Sequence, residues 1–123
     1  MEVGSNMTLE LAIFNRSLAL DRVGGDEELL REVAQLFLRE YPPLLIQIRE
    51  AVQRADADRI MEAAHTMKGS LATLGAEAGA QTAFQLELMG RKHLLDGSHS
   101  ACRALEEQLD QLDEELRRLA ASE

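Results

Sequence analysis

The chain has 123 residues, enough for one buried core and too few for two, and its hydrophobic content of 46% is ordinary for a globular domain. Aromatics make up only 3%, with no Trp, so the core has to be built from Leu, Ile, Val, Met and Ala, a composition that favours packed helices. Thirteen basic against twenty-two acidic residues leave a formal charge of −9, which repels nucleic acid and anionic membrane surfaces and points to a protein partner.

Residues 1–7 contain Gly-Ser-Asn and are expected to be an appended remnant or disordered tail, with the domain proper at residues 8–120. A first helix is predicted over about Thr8 to Leu20, with Thr8 as its N-cap and Leu11, Phe14 and Leu18 at intervals of three and four. Gly24-Gly25 interrupts it. Asp26 then reads as the N-cap of a long helix to about Ala55, whose apolar face is expected to hold Leu29, Val33, Leu36 or Phe37, Leu44, Ile48 and Val52. Pro42-Pro43 in its middle remove two backbone donors, so the helix is expected to kink or restart there.

Asp56 or Asp58 starts the next predicted helix, which runs to Leu74, with Gly75 suited to a left-handed stop. Another helix spans Ala76 to Leu94, a turn follows at Asp96-Gly97-Ser98, and a last helix covers about Ser98 to Ala120. That helix repeats apolar residues at Cys102, Leu105, Leu109, Leu112, Leu116 and Leu119. No stretch alternates apolar and polar residues with β-branched enrichment. The predicted fold is all-α: an antiparallel four-helix bundle joined by short loops, with an additional N-terminal helix and a Pro-kinked long helix.

No run is long and apolar enough for a membrane span, and no basic stretch precedes an apolar core as in an export signal. The lone Cys102 calls for no oxidising compartment, so a cytoplasmic location is expected.

The candidate chemistry lies in the Ile60 to Leu74 segment. At about 100° per residue, Ile60, Ala64, Met67, Leu71 and Leu74 fall within about 40° of a common direction, which is the core. His65 lies about 140° away and Gly69 about 180° away, with Met61, Lys68 and Ala72 on the flank between. His65 is therefore expected to face solvent, with Lys68 and Gly69 one turn along as the neighbours able to touch it.

Glycine inside a helix costs about 1 kcal/mol relative to alanine, and Gly69 has no core packing to justify it. It would clear space beside the ring for another protein's active site. Lys68 offers a cation to an anionic group carried there. An ordinary histidine, with a pKa near ~6.5, is substantially neutral at cell pH and leaves one ring nitrogen nucleophilic without a base. On the same helix only Glu62 stands at helical spacing from His65, and it lies further round the wheel.

Three other readings are weaker. His93, His99 and Cys102 supply too few ligands for a structural metal and straddle a turn. The three histidines have no triad spacing that suits an enzyme. A non-phosphorylatable helical adaptor or dimerisation module, using the leucine seam of the acidic last helix, would leave His65 incidental.

The string His65-Thr66-Met67-Lys68-Gly69-Ser70, followed by Leu74-Gly75-Ala76, resembles the signature of histidine-containing phosphotransfer domains, His-x-Leu-Lys-Gly-Ser with Leu-Gly-Ala after it. Gly24 to Leu30, the proline-bearing helix, Leu86-Glu87 and Gly90-Arg91 look like family features as well, and the likeness covers roughly Phe14 to Leu119. Met67 replaces the usual Leu, Leu71 stands where a small residue is common, and Gly79 is less expected and would permit close helix approach.

The resemblance implies a phosphocarrier that neither hydrolyses ATP nor autophosphorylates, relaying phosphoryl groups between receiver-domain aspartates, as a free-standing protein or a module of a hybrid sensor histidine kinase. His65 would be the phosphoacceptor, Lys68 would steer the phosphoryl group, Gly69 would grant access and Ser70 would be the small residue that follows. Glu87 would be either a polar neighbour of the histidine or a plain solvated side chain. No cofactor is expected, since the divalent ion would belong to the receiver. Docking is expected to be apolar at its centre, around Met61 and Ala72 with Phe84 and Leu88 from the next helix.

Overall fold

A computed structural model describes residues 11–121, among which there are five helices: α1 (Arg16–Arg22), α2 (Glu27–Gln53), α3 (Ala57–Thr73), α4 (Glu77–Lys92) and α5 (Ser98–Ala121). Among the described residues there is no strand. The proposed tail at residues 1–7 and the Thr8 cap lie outside the described residues.

Local chemistry sets the helix starts. Asn15, Asp26 and Asp56 each accept a hydrogen bond from the backbone N–H three residues on, at Leu18, Leu29 and Arg59, so each satisfies one donor that the first turn leaves unpaired. The Asp26 and Asp56 caps fall where sequence placed them. The first helix does not: it begins at Arg16, because Asn15 supplies the cap, and Leu11 and Phe14 precede it. The segment before it is instead tied to the α3–α4 turn, with Asn15 N–H donating to the Gly75 carbonyl at 2.9 Å and Ala78 N–H to the Ala12 carbonyl at 2.9 Å. Gly75 has φ +73°, and a β-carbon there would stand 2.7 Å from the Asn15 carbonyl oxygen, so both conformation and crowding require glycine.

Helix α2 runs without a restart through Pro42 and Pro43. Both prolines are exposed, so the carbonyls of Leu38 and Arg39 that lose their donors lie near water. Its core residues are Leu30, Ala34, Phe37, Ile48, Ala51 and Val52; Leu29, expected inside, is exposed, and of the alternatives Leu36 and Phe37 it is Phe37 that turns inward. The apolar stripe is wider than the surface its neighbours cover, and the core takes the flank that includes Leu30 and Ala34.

Packing joins α2 to α3, α3 to α4, α4 to α5 and α5 back to α2, a closed ring of four helices around one core, with α1 touching the end of α2. Ile60, Ala64, Met67, Leu71 and Leu74 from α3 meet Leu86 from α4 and Leu105, Leu109, Leu112 and Leu116 from α5 in that core. The leucine seam of α5 is therefore spent inside the bundle and is not a free dimerisation face. Leu71 and Gly79 explain one another: a β-carbon on Gly79 would stand 3.2 Å from Leu71 Cδ1, so the glycine accommodates the larger leucine.

A tighter approach occurs at Gly90. A β-carbon there would lie 2.5 Å from the Ala57 carbonyl oxygen and 2.7 Å from Met61 N, so only glycine lets the backbone of α4 seat against the first turns of α3. This contact brings the side chains one turn earlier on α4 within reach of the outer face of α3.

Candidate functional site

On α3 the imidazole of His65 keeps 65% of its side-chain surface exposed, as the helical wheel requires. Gly69, one turn along, has nothing within 4 Å of where a β-carbon would sit, so the space beside the ring is open.

Glu87 on α4 is the part of the site that composition and wheel geometry did not supply. Its side chain is 2% exposed, and its Oε2 lies 3.0 Å from His65 Nδ1. The solvated alternative for Glu87 is therefore wrong, and the ring has a carboxylate partner from outside its own helix. A same-helix search could not find it, because the carboxylate comes from the neighbouring helix; Glu62 plays no such part.

A buried carboxylate is expensive unless compensated, and Glu87 is compensated three times. Lys68 Nζ lies 2.8 Å from Oε1, Arg91 Nη2 donates to Oε2 at 2.7 Å, and the imidazole meets the same Oε2. Burial pushes the Glu87 carboxyl upward, but the hydrogen bonds and charges of Lys68 and His65 outweigh it and hold the group below the usual carboxylate range. Glu87 thus stays ionised and oriented. With it accepting from Nδ1–H, the ring's Nε2 carries the lone pair and is free to react outside the bundle.

The other predicted residues distribute around this core of the site. The Lys68 ammonium sits 5.1 Å over the Phe84 ring, so Phe84 supports the lysine as well as lining the groove that holds Lys68 and Ala72. Met61 is half-buried against Gly90, and Leu88 is half-buried on α4. Ala72 is exposed and its carbonyl accepts from the Arg22 guanidinium, which ties α1 to the end of α3. Ser70 faces the opposite flank, sharing a groove with Pro43 and Leu44 of α2, and is not brought to His65. Arg91 was singled out only as part of a family pair; its position four residues after Glu87 on one helix was the available signal for the ion pair. Arg22 left no such signal.

Among the described residues no group of three or more His, Cys, Asp or Glu side chains could hold a metal ion. His93 lies 3.7 Å from Asp58, and Cys102 is buried with its Sγ 4.0 Å from Glu106. No helix there is long and apolar enough to cross a membrane.

Residues 32–115, more than half of the chain and including the His65 to Ser70 string, match the family model of the Hpt domain. No curated protein matches the sequence. Among solved structures, the crystal structure of histidine-containing phosphotransfer protein B from Pseudomonas aeruginosa PAO1 superposes with a TM-score of 0.79 over 85% of this chain and 91% of that one, at 18% identity, a likeness of fold. The bundle, the matched segment and the histidine on its outer face together place this chain in the Hpt domain family, the histidine phosphotransfer modules of phosphorelays.

Proposed function

We propose that His65 accepts a phosphoryl group from the phosphorylated aspartate of one receiver domain and passes it to the aspartate of another. The observation that carries this reading is the pairing of an exposed ring with a buried carboxylate: Nδ1 is engaged by Glu87 while the ring itself stays 65% exposed, with open space at Gly69 one turn along.

In the forward step the Nε2 lone pair attacks phosphorus in line, the P–O bond to the aspartyl oxygen breaks, and its electron pair leaves with the carboxylate. The ring becomes a phosphoimidazolium that keeps its Nδ1 proton. Glu87 faces the positive charge that develops there. Lys68 and Arg91 can reach from Glu87 toward phosphoryl oxygens, since both are long and at least partly exposed. Transfer onward is the reverse sequence on a second aspartate.

The role requires no autokinase activity and no cofactor in this chain, and any divalent ion beside the aspartate belongs to the receiver. The partners are receiver domains and the sensor histidine kinase that feeds them, in the cytoplasm. Met61, Ala72, Phe84 and Leu88 form the apolar surround on which a receiver would settle, with Gly69 leaving room over the ring.

Incubation with a phosphorylated receiver should produce an acid-labile, base-stable phosphate on the wild type that is absent from His65→Gln. A wild type left unmodified by a panel of receivers and small donors would overturn the proposal.

A further inference from the structure

Glu87 has a second consequence, which concerns the phosphorylated state and rests on the reading of His65 as phosphoacceptor. We infer that the Glu87 carboxylate, acting through Nδ1–H, keeps phosphorylated His65 in its cationic ring form across neutral pH, and so sets how long the phosphoryl group is held and how readily it leaves.

The leaving group decides the chemistry. When a nucleophile attacks the phosphorus of Nε2-phosphohistidine, the N–P bond breaks and its electron pair returns to Nε2. If Nδ1 carries a proton, the departing group is neutral imidazole; if it does not, the departing group is the far more basic imidazolate. Phosphoryl transfer to a carboxylate and hydrolysis by water both run through the protonated ring. Whatever holds the Nδ1 proton governs both rates.

The charge balance of the cluster favours that proton. Lys68 and Arg91 each bring one positive charge and Glu87 one negative. A dianionic phosphoryl on a protonated ring brings a net charge of minus one, and the whole cluster is then neutral; losing the Nδ1 proton leaves it anionic. Once the two cations turn toward phosphoryl oxygens, Glu87 keeps a single partner, Nδ1–H at 3.0 Å, in a site where its own charge is shielded from water. An amide at position 87 could still accept that hydrogen bond but would make the cluster neutral only after the proton had gone.

The charged groups that bear on the ring are Lys68 on α3 and Glu87 and Arg91 on α4. Helix α2 packs on the other flank of α3, where Glu40, Glu50, Arg54, Arg59 and Glu62 line grooves with Thr66 and Ser70. Among the described residues, Glu87 is the ring's hydrogen-bonding partner. Glu87 is thus a positioning residue that acts through His65 and touches neither phosphorus nor the incoming group.

The test compares wild type and Glu87→Gln, each phosphorylated with phosphoramidate, by following loss of phosphohistidine from pH 6 to pH 9. The wild-type rate should stay level through neutrality, while the E87Q rate should fall as pH rises, with its midpoint displaced downward by at least about one unit, the shift expected of an opposite charge at hydrogen-bonding distance. For a wild-type midpoint near pH 8 that corresponds, at pH 8, to a half-life about fivefold longer, and transfer to a receiver should slow by a similar factor. Superimposable profiles in two proteins that both form phosphohistidine would overturn the inference and leave the phosphoacceptor assignment standing. Failure of the wild type to form any would remove both. If E87Q does not fold, the nitrogen-15 shifts of phosphorylated wild-type His65 decide: a ring that loses its Nδ1 proton near pH 7 refutes the inference, and one still protonated at pH 8 supports it.

Discussion

Replacing Gly90 by alanine should pry α3 from α4. The added carbon would meet the Ala57 carbonyl oxygen at 2.5 Å, Met61 N at 2.7 Å and Met61 Cα at 3.1 Å, all backbone atoms with no rotamer to change. Restoring ordinary contact near ~3.5 Å requires the helices to part by about 1 Å. Overpacking of this kind costs about 1–3 kcal/mol, at the upper end where the obstruction is backbone, and alanine's better helix propensity returns about 1 kcal/mol. The net expectation is a loss of about 2 kcal/mol, or a Tm lower by about 8 °C for a chain of this size.

Because Glu87 lies one turn before Gly90, the same movement should stretch its 3.0 Å contact with His65 beyond hydrogen-bonding reach and slow phosphoryl transfer. Gly69→Ala is the control, since nothing lies within 4 Å of its β-carbon: it should match or exceed the wild type in stability. Urea unfolding of the two variants beside wild type checks the argument. A Gly90→Ala protein within about 0.5 kcal/mol of wild type would show that the close approach of α3 and α4 is not needed.

Larger side chains at position 69, in Gly69→Gln or Gly69→Leu, should leave helicity unchanged or slightly raised by circular dichroism while slowing transfer from a receiver; equal rates would show that clearance there is irrelevant. Lys68→Ala should slow transfer without abolishing it, read as the initial rate of phosphohistidine formation, because Arg91 still offers a cation beside Glu87. Acid should weaken the fold partly through Glu87. Its folded carboxyl titrates below the ordinary carboxylate value near ~4.3, so its ionisation stabilises the fold above that pH, and the contribution is lost as pH falls through the lower folded value. Melting temperatures of Glu87→Gln should therefore fall less than those of wild type between pH 6 and pH 2, and parallel curves would refute the linkage. In the core, Leu109→Ala should cost about 2–5 kcal/mol in urea unfolding, since that side chain is fully enclosed.

Sequence by itself was enough for whatever depends on local geometry. The 3.6-residue period of α3 put Ile60, Ala64, Met67, Leu71 and Leu74 inside and His65 outside, because a helix carries each side chain in a direction fixed by its position along the turn. Asp26, Asp56 and Gly75 marked helix ends for the same reason: caps and left-handed stops are made between residues a few positions apart. The start of the first helix was misjudged where the deciding contacts are long-range, namely the ties of Ala12 and Asn15 to the α3–α4 turn.

Tertiary structure alone decided which flank of α2 is covered, leaving Leu29 and Leu36 in water, and which carboxylate orients the imidazole. Glu87 is 22 residues from His65 in the chain, and nothing local distinguishes it from a solvated surface glutamate. It becomes a buried, threefold-compensated anion only when Gly90 lets α4 press its backbone against α3. That approach is set by how two helices fit together, a property of the pair that neither helix carries in its own periodicity.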